Sequence, residues 1–235
     1  MWSVFRRELQ SYFITPIAYA YLAAVALLSG IYYTMLLLQG SVELGNEFSF
    51  MFTLTLLLSP LLTMRLLSEE RRQRTDKLLI SAPIRLAEIV LGKYFAACVI
   101  YLLGLLSVFL QAVALNGAAT LNWAVIFANL LGLLLVGMAC IAICLLMSAM
   151  TDNQIVAALG GFAAMIFVMI LNTLSSVIPI EFIRTILNSL SFYNSYYSLT
   201  VGLLRLSDLW FFVTVSALFL FLTVQLLDRY VRLGR

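Results

Sequence analysis

Several residue types and motifs are scarce or missing in this chain, and each shortage excludes a class of function. Histidine is absent from all 235 residues, which excludes histidine-based catalysis and histidine-ligated metal sites. No glycine-rich loop of the form G-x-x-x-x-G-K-[ST] occurs, so the chain lacks this means of holding ATP. We therefore expect a non-catalytic chain that binds no cofactor or metal itself.

Charge is also scarce, and what remains is mostly apolar. Charged residues make up 11% of the sequence and hydrophobic residues 63%, with a mean hydropathy of +1.05. A soluble domain of this size does not need so much apolar surface, so lipid is the expected solvent. Cys98, Cys140 and Cys144 lie inside apolar runs and are predicted to be buried core residues. The composition predicts one polytopic membrane domain over residues 1–235.

Six apolar runs are long enough to cross a bilayer as helices. At about 1.5 Å per residue, roughly 20 residues cover a hydrocarbon core of about 30 Å. The fold class is therefore all-α with six transmembrane helices. The predicted spans are 17–38, 48–67, 94–115, 123–147, 155–174 and 209–227.

Residues 1–14 precede the first span and form a different pattern. Trp2, Phe5 and Leu9 recur at helical spacing with polar residues between them, which predicts an amphipathic helix in the headgroup plane. The alternative is a signal peptide whose basic start is Arg6 and Arg7. However, the apolar run that follows is about twice as long as a signal peptide's apolar region.

Residues 175–207 are neither a soluble domain nor a plain span. Ile183 and Leu187 share one helical face, Arg184 and Asn188 share the opposite face, and tyrosines follow. This pattern predicts a re-entrant or interfacial helical hairpin that does not cross the membrane. An ordinary aromatic-rich loop is the alternative.

The basic residues determine the predicted orientation. With six spans both termini lie on one side, and that side holds 12 of the 14 Lys and Arg residues. By the positive-inside rule, both termini face the cytoplasm and the hairpin lies outside. The two remaining cations, Arg184 and Arg205, lie on the outer side.

Residues 68–93 form a charged segment between the second and third spans. Ten of its residues are charged. Thr75 is a suitable N-cap and Pro83 a stop, so a short helix parallel to the membrane is predicted between them. A solvated loop is the alternative, but a loop that serves only topology needs one or two cations. We expect another protein to dock here.

The polar groups inside the spans suggest packing more than chemistry. Gln111, Asn129 and Asn172 are predicted to form interhelical hydrogen bonds. No span has a charge at mid-depth, which argues against an ion-coupled carrier and leaves an intramembrane enzyme little chemistry.

Small residues four apart on the fifth span allow close helix packing. They are Ala157 with Gly161, and Gly160 with Ala164. Packing within the chain and dimerisation explain this pattern equally well.

The charged segment resembles a known family. Residues 69–84 read EERRQRTDKLLISAPI, and IVLGKY follows at residues 89–94. This is similar to the hallmark loop of type-2 ABC exporter permeases, approximately E-E-[KR]-x-x-G-T-x-E-L-L-L-[ST]-x-P-[VI] and then I-V-x-G-K. The resemblance extends over essentially the whole chain, and residues 7–19 and 202–211 resemble the gliding-motility-type branch most. Arg74 replaces the usual Gly and Lys77 the usual Glu, which indicates a more acidic partner.

The resemblance implies an architecture and a set of partners. The architecture is an N-terminal elbow helix, six spans, a cytoplasmic coupling helix between spans two and three, and an external hairpin before span six. The partners are a dimer of ABC ATPase subunits, which hold ATP and Mg, and a second permease copy or a related membrane subunit. That related subunit can carry a large periplasmic domain; membrane lipid is expected as a partner and nucleic acid is not. The location is the bacterial inner membrane.

The predicted function is coupling ATP hydrolysis on the partner to export or to force transmission. The alternative is a complex that transmits force or extracts a lipid through a periplasmic partner, and an intramembrane enzyme is less well supported. The residues predicted to couple to the ATPase are Glu69, Glu70, Arg71, Arg72, Arg74, Thr75 and Lys77.

Overall fold

The computed structural model describes residues 1–38, 44–72, 85–115, 122–177, 181–200 and 205–233. Within these ranges the regular structure is helical, with no strands. The helices are α1 (Trp2–Ile14), α2 (Pro16–Leu38), α3 (Leu44–Thr63), α4 (Ser68–Arg72), α5 (Leu86–Leu115), α6 (Trp123–Met150), α7 (Gln154–Val177), α8 (Glu181–Leu190), α9 (Phe192–Thr200) and α10 (Leu206–Leu233).

Six stretches of the described chain are long and apolar enough to span a membrane, which confirms the predicted all-helical multi-pass protein. Their bounds are Pro16–Leu38, Gly45–Arg72, Leu86–Ala114, Trp123–Met150, Gln154–Leu174 and Leu206–Tyr230. The helix of the third span begins at Leu86, before the predicted start of the span at Tyr94, so Glu88 and Lys93 belong to the same helix as that span.

The spans divide into a central group and an outer group. In the spans of α3, α5 and α6, half or more of the residues in the most apolar stretch are buried inside the protein. The buried share is only 17% for α2 and α10 and 28% for α7. Exposed apolar side chains on the outer helices are stable because lipid, like the core, accepts them. The central group is therefore the packed scaffold.

Close packing in the scaffold depends on a glycine in α6. A Cβ on Gly137 would lie 2.1 Å from the Tyr101 ring of α5, so only glycine leaves room for that ring. The Tyr101 hydroxyl donates to the Leu133 carbonyl at 2.7 Å and lies 3.2 Å from the Thr55 hydroxyl of α3. One tyrosine thus joins α3, α5 and α6.

α1 and α2 meet at a single residue, Thr15. Pro16 is the first residue of α2, where its missing N–H costs nothing. The Thr15 hydroxyl donates to the Ser11 carbonyl at 2.8 Å and so closes α1. α1 packs on α5 at Gly92, where an added Cβ would lie 3.2 Å from the Phe5 nitrogen.

The bundle has two chemically different ends. The end that carries Arg7, Arg71 and Lys93 is called the basic end, and the other the opposite end. The short helices α8 and α9 lie at the opposite end, where the Tyr196 hydroxyl is 3.3 Å from the Phe48 carbonyl. At roughly 1.5 Å per residue, neither is long enough to cross a bilayer.

Candidate functional site

The helix of the second span breaks just before the charged segment. Residues 64–67 form a turn between α3 and α4, which leaves backbone groups without helical partners. Ser148 of α6 satisfies three of them: its hydroxyl accepts from the N–H groups of Leu67 at 3.2 Å and Ser68 at 3.3 Å, and donates to the Met64 carbonyl at 3.2 Å. α6 therefore holds the turn in place.

Lys93 of α5 approaches the same turn from another side. Its ammonium donates to the Leu66 carbonyl at 2.6 Å and to the Glu8 carboxylate of α1 at 3.1 Å. It also pairs with the Glu70 carboxylate of α4 at 2.9 Å. Only 1% of the Lys93 side chain is exposed, and a charge buried to this extent is tolerable because it is paired and hydrogen-bonded.

Arg7 completes a cluster of four charges. Its guanidinium contacts Glu8 at 3.0 Å and Glu70 at 2.9 Å. Two cations and two carboxylates leave the cluster electrically neutral. Burial acts to lower the pKa of Arg7, but its hydrogen bonds and charge interactions with Glu8 and Glu70 outweigh that effect and raise it. We call Arg7, Glu8, Glu70 and Lys93 the four-charge cluster.

The two predicted glutamates of α4 both contact cations of this chain. Glu70 belongs to the four-charge cluster, and Glu69 forms a bidentate ion pair with Arg65 one turn earlier. They therefore anchor α4 to the protein. Whether they also transmit motion stays a prediction.

The predicted cations behave differently from one another. The Arg71 side chain is only 10% exposed, and its guanidinium lies 3.9 Å from the Tyr230 ring centre of α10 and 3.8 Å from the Asp152 carboxylate. Arg71 thus faces the bundle. Arg72 is exposed at the end of α4. The last three predicted coupling residues lie outside the described residues: Arg74, Thr75 and Lys77.

The small residues of α7 pack partly within the chain. Ala157 and Gly161 are buried, and a Cβ on Gly161 would lie 2.9 Å from Pro60 of α3. Gly160 and Ala164 are half-buried. Packing within the chain accounts for Gly161, and a role of these residues in dimerisation stays a prediction.

Three residues that form contacts at the basic end were not predicted from the sequence: Ser148, Glu8 and Tyr12. The Tyr12 hydroxyl of α1 donates to the Leu62 carbonyl at 2.8 Å, and burial raises the pKa of this hydroxyl well above its usual value. Nothing in the sequence around these residues marks their partners. The Gly92–Lys93 pair was visible as the G-K of the family pattern, and the structure gives both residues a role.

The remaining polar and thiol groups are used inside the bundle. Gln111 donates to Ser29 at 2.9 Å, and Asn129 donates to the Val125 carbonyl at 2.8 Å. The three cysteines are buried thiols without disulfides, as predicted. Among the described residues no group of three or more His, Cys, Asp or Glu could hold a metal ion.

The fold and these contacts define a class of protein, a multi-pass helical membrane protein with a charged segment at one face. A family model described as ABC-2 family transporter protein matches residues 39–227, most of the chain. The chain therefore belongs to the ABC-2 transporter family: it is a permease subunit of an ABC transporter, and such permeases generally work with an ABC ATPase. A search among curated proteins found no match.

Proposed function

We propose that this permease couples ATP hydrolysis on a separate ABC ATPase to movement across the membrane, and that residues 68–77 receive the motion. The observation that carries the proposal is that α4 is anchored at its start and exposed at its end. Ion pairs of Glu69 and Glu70 fix its start, and its last residue, Arg72, is exposed where the charged segment continues. A helix that is anchored at its start and exposed at its last residue is suited to transmit force.

Each predicted residue takes a part in this proposal. Arg72, Arg74 and Lys77 contact an acidic surface of the ATPase, and Thr75 caps the coupling helix. Glu69 and Glu70 hold the base of the segment. Arg71 supports α4 from within through its contacts with Tyr230 and Asp152. ATP and Mg bind to the partner.

The basic end then faces the cytoplasm, and α8 and α9 lie outside. The distribution of 12 of 14 basic residues supports this orientation. α1 acts as the elbow helix. The resemblance supports the bacterial inner membrane, a pair of membrane domains with two ATPase subunits, and the gliding-motility-type branch. In that branch the second membrane subunit carries the large periplasmic domain.

A second candidate function is force transmission to a periplasmic partner or extraction of a lipid-linked substrate. The hydrogen bonds of polar groups within the spans favour this second function. Gln111 and Asn129 both donate hydrogen bonds to other groups of the bundle. They do not form a hydrophilic path through this chain. Substrate-stimulated ATPase activity with a soluble compound would instead favour transport. An intramembrane enzyme has the least support.

The first test is purification of the intact complex in mild detergent, in which an ABC ATPase is expected to co-purify. A co-purifying protein with a large periplasmic domain would support the branch. Absence of any ATPase would contradict the proposal.

The second test reverses charge at the end of α4. We predict that Arg72→Glu with Arg74→Glu uncouples hydrolysis from the opposite end without unfolding the spans. The readout is ATP-dependent maleimide labelling of Leu190→Cys, an exposed position in a protein whose own cysteines are buried. The matched control reverses two exposed cations at the opposite end, Arg184→Glu with Arg205→Glu. Unchanged ATP-dependent labelling in the first variant would contradict the proposal.

A further inference from the structure

Lys93 joins three elements that are far apart in sequence. Its own backbone belongs to α5, its ammonium pairs with Glu8 of α1 and Glu70 of α4, and it also holds the Leu66 carbonyl in the turn. Both cations of the four-charge cluster contact the same oxygen of Glu70. Movement of α4 away from α1 and α5 would therefore separate a carboxylate that is only 18% exposed from two cations at once.

Ser148 of α6 holds the first residue of α4, but the attachment at the other end of this helix is weaker. Arg71 lies 3.8 Å from Asp152, and 73% of that carboxylate side chain is exposed. An exposed ion pair contributes little because water screens it and the side chains lose freedom. The stacking of Arg71 on Tyr230 adds a modest cation–π attraction. A pull on the end of α4 that carries Glu70 and Arg71 thus meets strong contacts towards α1 and α5 and weak ones towards α10 and the α6–α7 turn, while Ser148 holds the base of the helix.

This asymmetry predicts which parts move together. We propose that Lys93 is a positioning residue for coupling: it makes α1, α4 and the first turns of α5 move as one body that separates from Asp152 and Tyr230 when the ATPase acts. The elbow helix is then part of the moving machinery. This inference rests on the proposed function, because it needs an ATPase that moves the charged segment.

A merely structural role for Lys93 gives a different expectation. If the ion pairs of Lys93 only stabilise the fold, neutral side chains of similar shape can replace them without loss of function. Joint neutral replacement of the buried members of an ion cluster is often tolerated in stability, whereas removal of one partner is not. Arg7, whose side chain is 52% exposed, can remain as a solvated cation. The triple variant Glu8→Gln, Glu70→Gln, Lys93→Met therefore separates stability from transmission.

The experiment measures distances in the complex with its co-purified ATPase in lipid nanodiscs, with one labelled copy of the chain. Spin labels are placed on pairs of exposed positions: Ser3→Cys on α1 with Met150→Cys on α6, and Arg85→Cys at the start of α5 with Met150→Cys. The buried native cysteines stay unlabelled. Each pair is measured without nucleotide and after trapping with ATP and vanadate.

We expect both distances to shift on trapping in the otherwise unchanged chain. In Lys93→Met and in the triple variant we expect the Ser3–Met150 shift to be lost, while the thermal midpoint falls only in the single variant. The matched control is Gln111→Leu, which removes another buried polar contact from α5, to Ser29, and should keep both shifts.

The possible contrary results are distinguishable. A static Ser3–Met150 distance beside a shifting Arg85–Met150 distance would overturn the inference and leave the proposed function standing. Persistence of the Ser3–Met150 shift in the triple variant would do the same. If neither distance shifts in the unchanged chain, both the inference and the proposed function are overturned.

Discussion

The two ends of the bundle hold their buried polar groups in different ways. At the basic end the buried groups are charged and paired: Lys93 pairs with both Glu8 and Glu70. At the opposite end the contacts of Tyr196 are uncharged and long, at 3.3 Å to the Phe48 carbonyl and 3.4 Å to the Asn129 amide oxygen. Charge-assisted hydrogen bonds are shorter and about twice as strong as neutral ones. The difference suggests that the basic end is built to transmit position and the opposite end to adapt.

The largest effect is expected from Lys93→Met, which removes the buried cation that pairs with both Glu8 and Glu70. Removal of one partner from a buried ion cluster costs about 3–5 kcal/mol. A clear fall in the thermal midpoint in detergent should follow, with recovery in the triple neutral variant. If Lys93→Met leaves the thermal midpoint unchanged, the buried charged contacts of the basic end are no more important for stability than the neutral contacts of the opposite end.

A smaller loss is expected from Ser148→Ala, which removes this partner from two backbone groups of the 64–67 turn and from the N–H of Ser68 in α4. The Met64 carbonyl still accepts from the Ser68 hydroxyl. Unsatisfied buried groups cost about 1–3 kcal/mol each, and relaxation of the turn will recover part of that. Thermal melting measures it. The control is Ser189→Ala, an exposed serine that bonds only its own helix, and it should melt like the unchanged chain.

At the opposite end, Tyr196→Phe should cost about 0.5–1.5 kcal/mol, the usual net value of one neutral hydrogen bond. The ring stays stacked on Phe52, with ring centres 5.1 Å apart, so packing is kept. A loss as large as that of Lys93→Met would contradict the comparison. Chemical or thermal unfolding in one detergent allows the two variants to be ranked.

The smallest effect is expected from Glu47→Gln. Glu47 is 1% exposed and its Oε1 atom has no hydrogen-bond partner, so a neutral amide of the same shape removes a buried acid at little cost. The thermal midpoint should stay or rise slightly. Glu70→Gln is the matched control at the basic end, where the same change should lower it.

Hydropathy was sufficient to predict six spans, but it did not show that the helix of the third one begins before its uncharged run. Glu88 and Lys93 lower the apolar average, and a prediction from local sequence ends the helix where charge begins. The helix continues to Leu86 because Lys93 finds partners at Glu8 and Glu70, and Glu88 pairs with the N-terminal amine at 2.9 Å. Contacts over such sequence separations are not visible in a window of neighbouring residues.

The candidate site could be located from the sequence but not resolved into roles. The density of charge and the family pattern drew attention to residues 69–72, and their role in coupling stays a prediction. They could not show that Arg71 faces the bundle while Arg72 faces solvent, because that depends on Tyr230 at the far end of the chain. Ser148 was invisible for a related reason, since a serine in an apolar helix has the same sequence pattern whether or not it caps another helix.

The joint at Thr15 has a consequence for the surrounding bilayer. Only this residue separates α1 from α2, and α2 exposes most of its apolar surface. A span answers a mismatch between its length and the bilayer thickness by tilting. Because the linker is one residue long, a tilt of α2 is passed to α1 and from there, through Glu8, to Lys93. In the proposed mechanism, bilayer thickness and the ATPase act on the same set of contacts from opposite directions, so the composition of the host membrane becomes an input to the transporter.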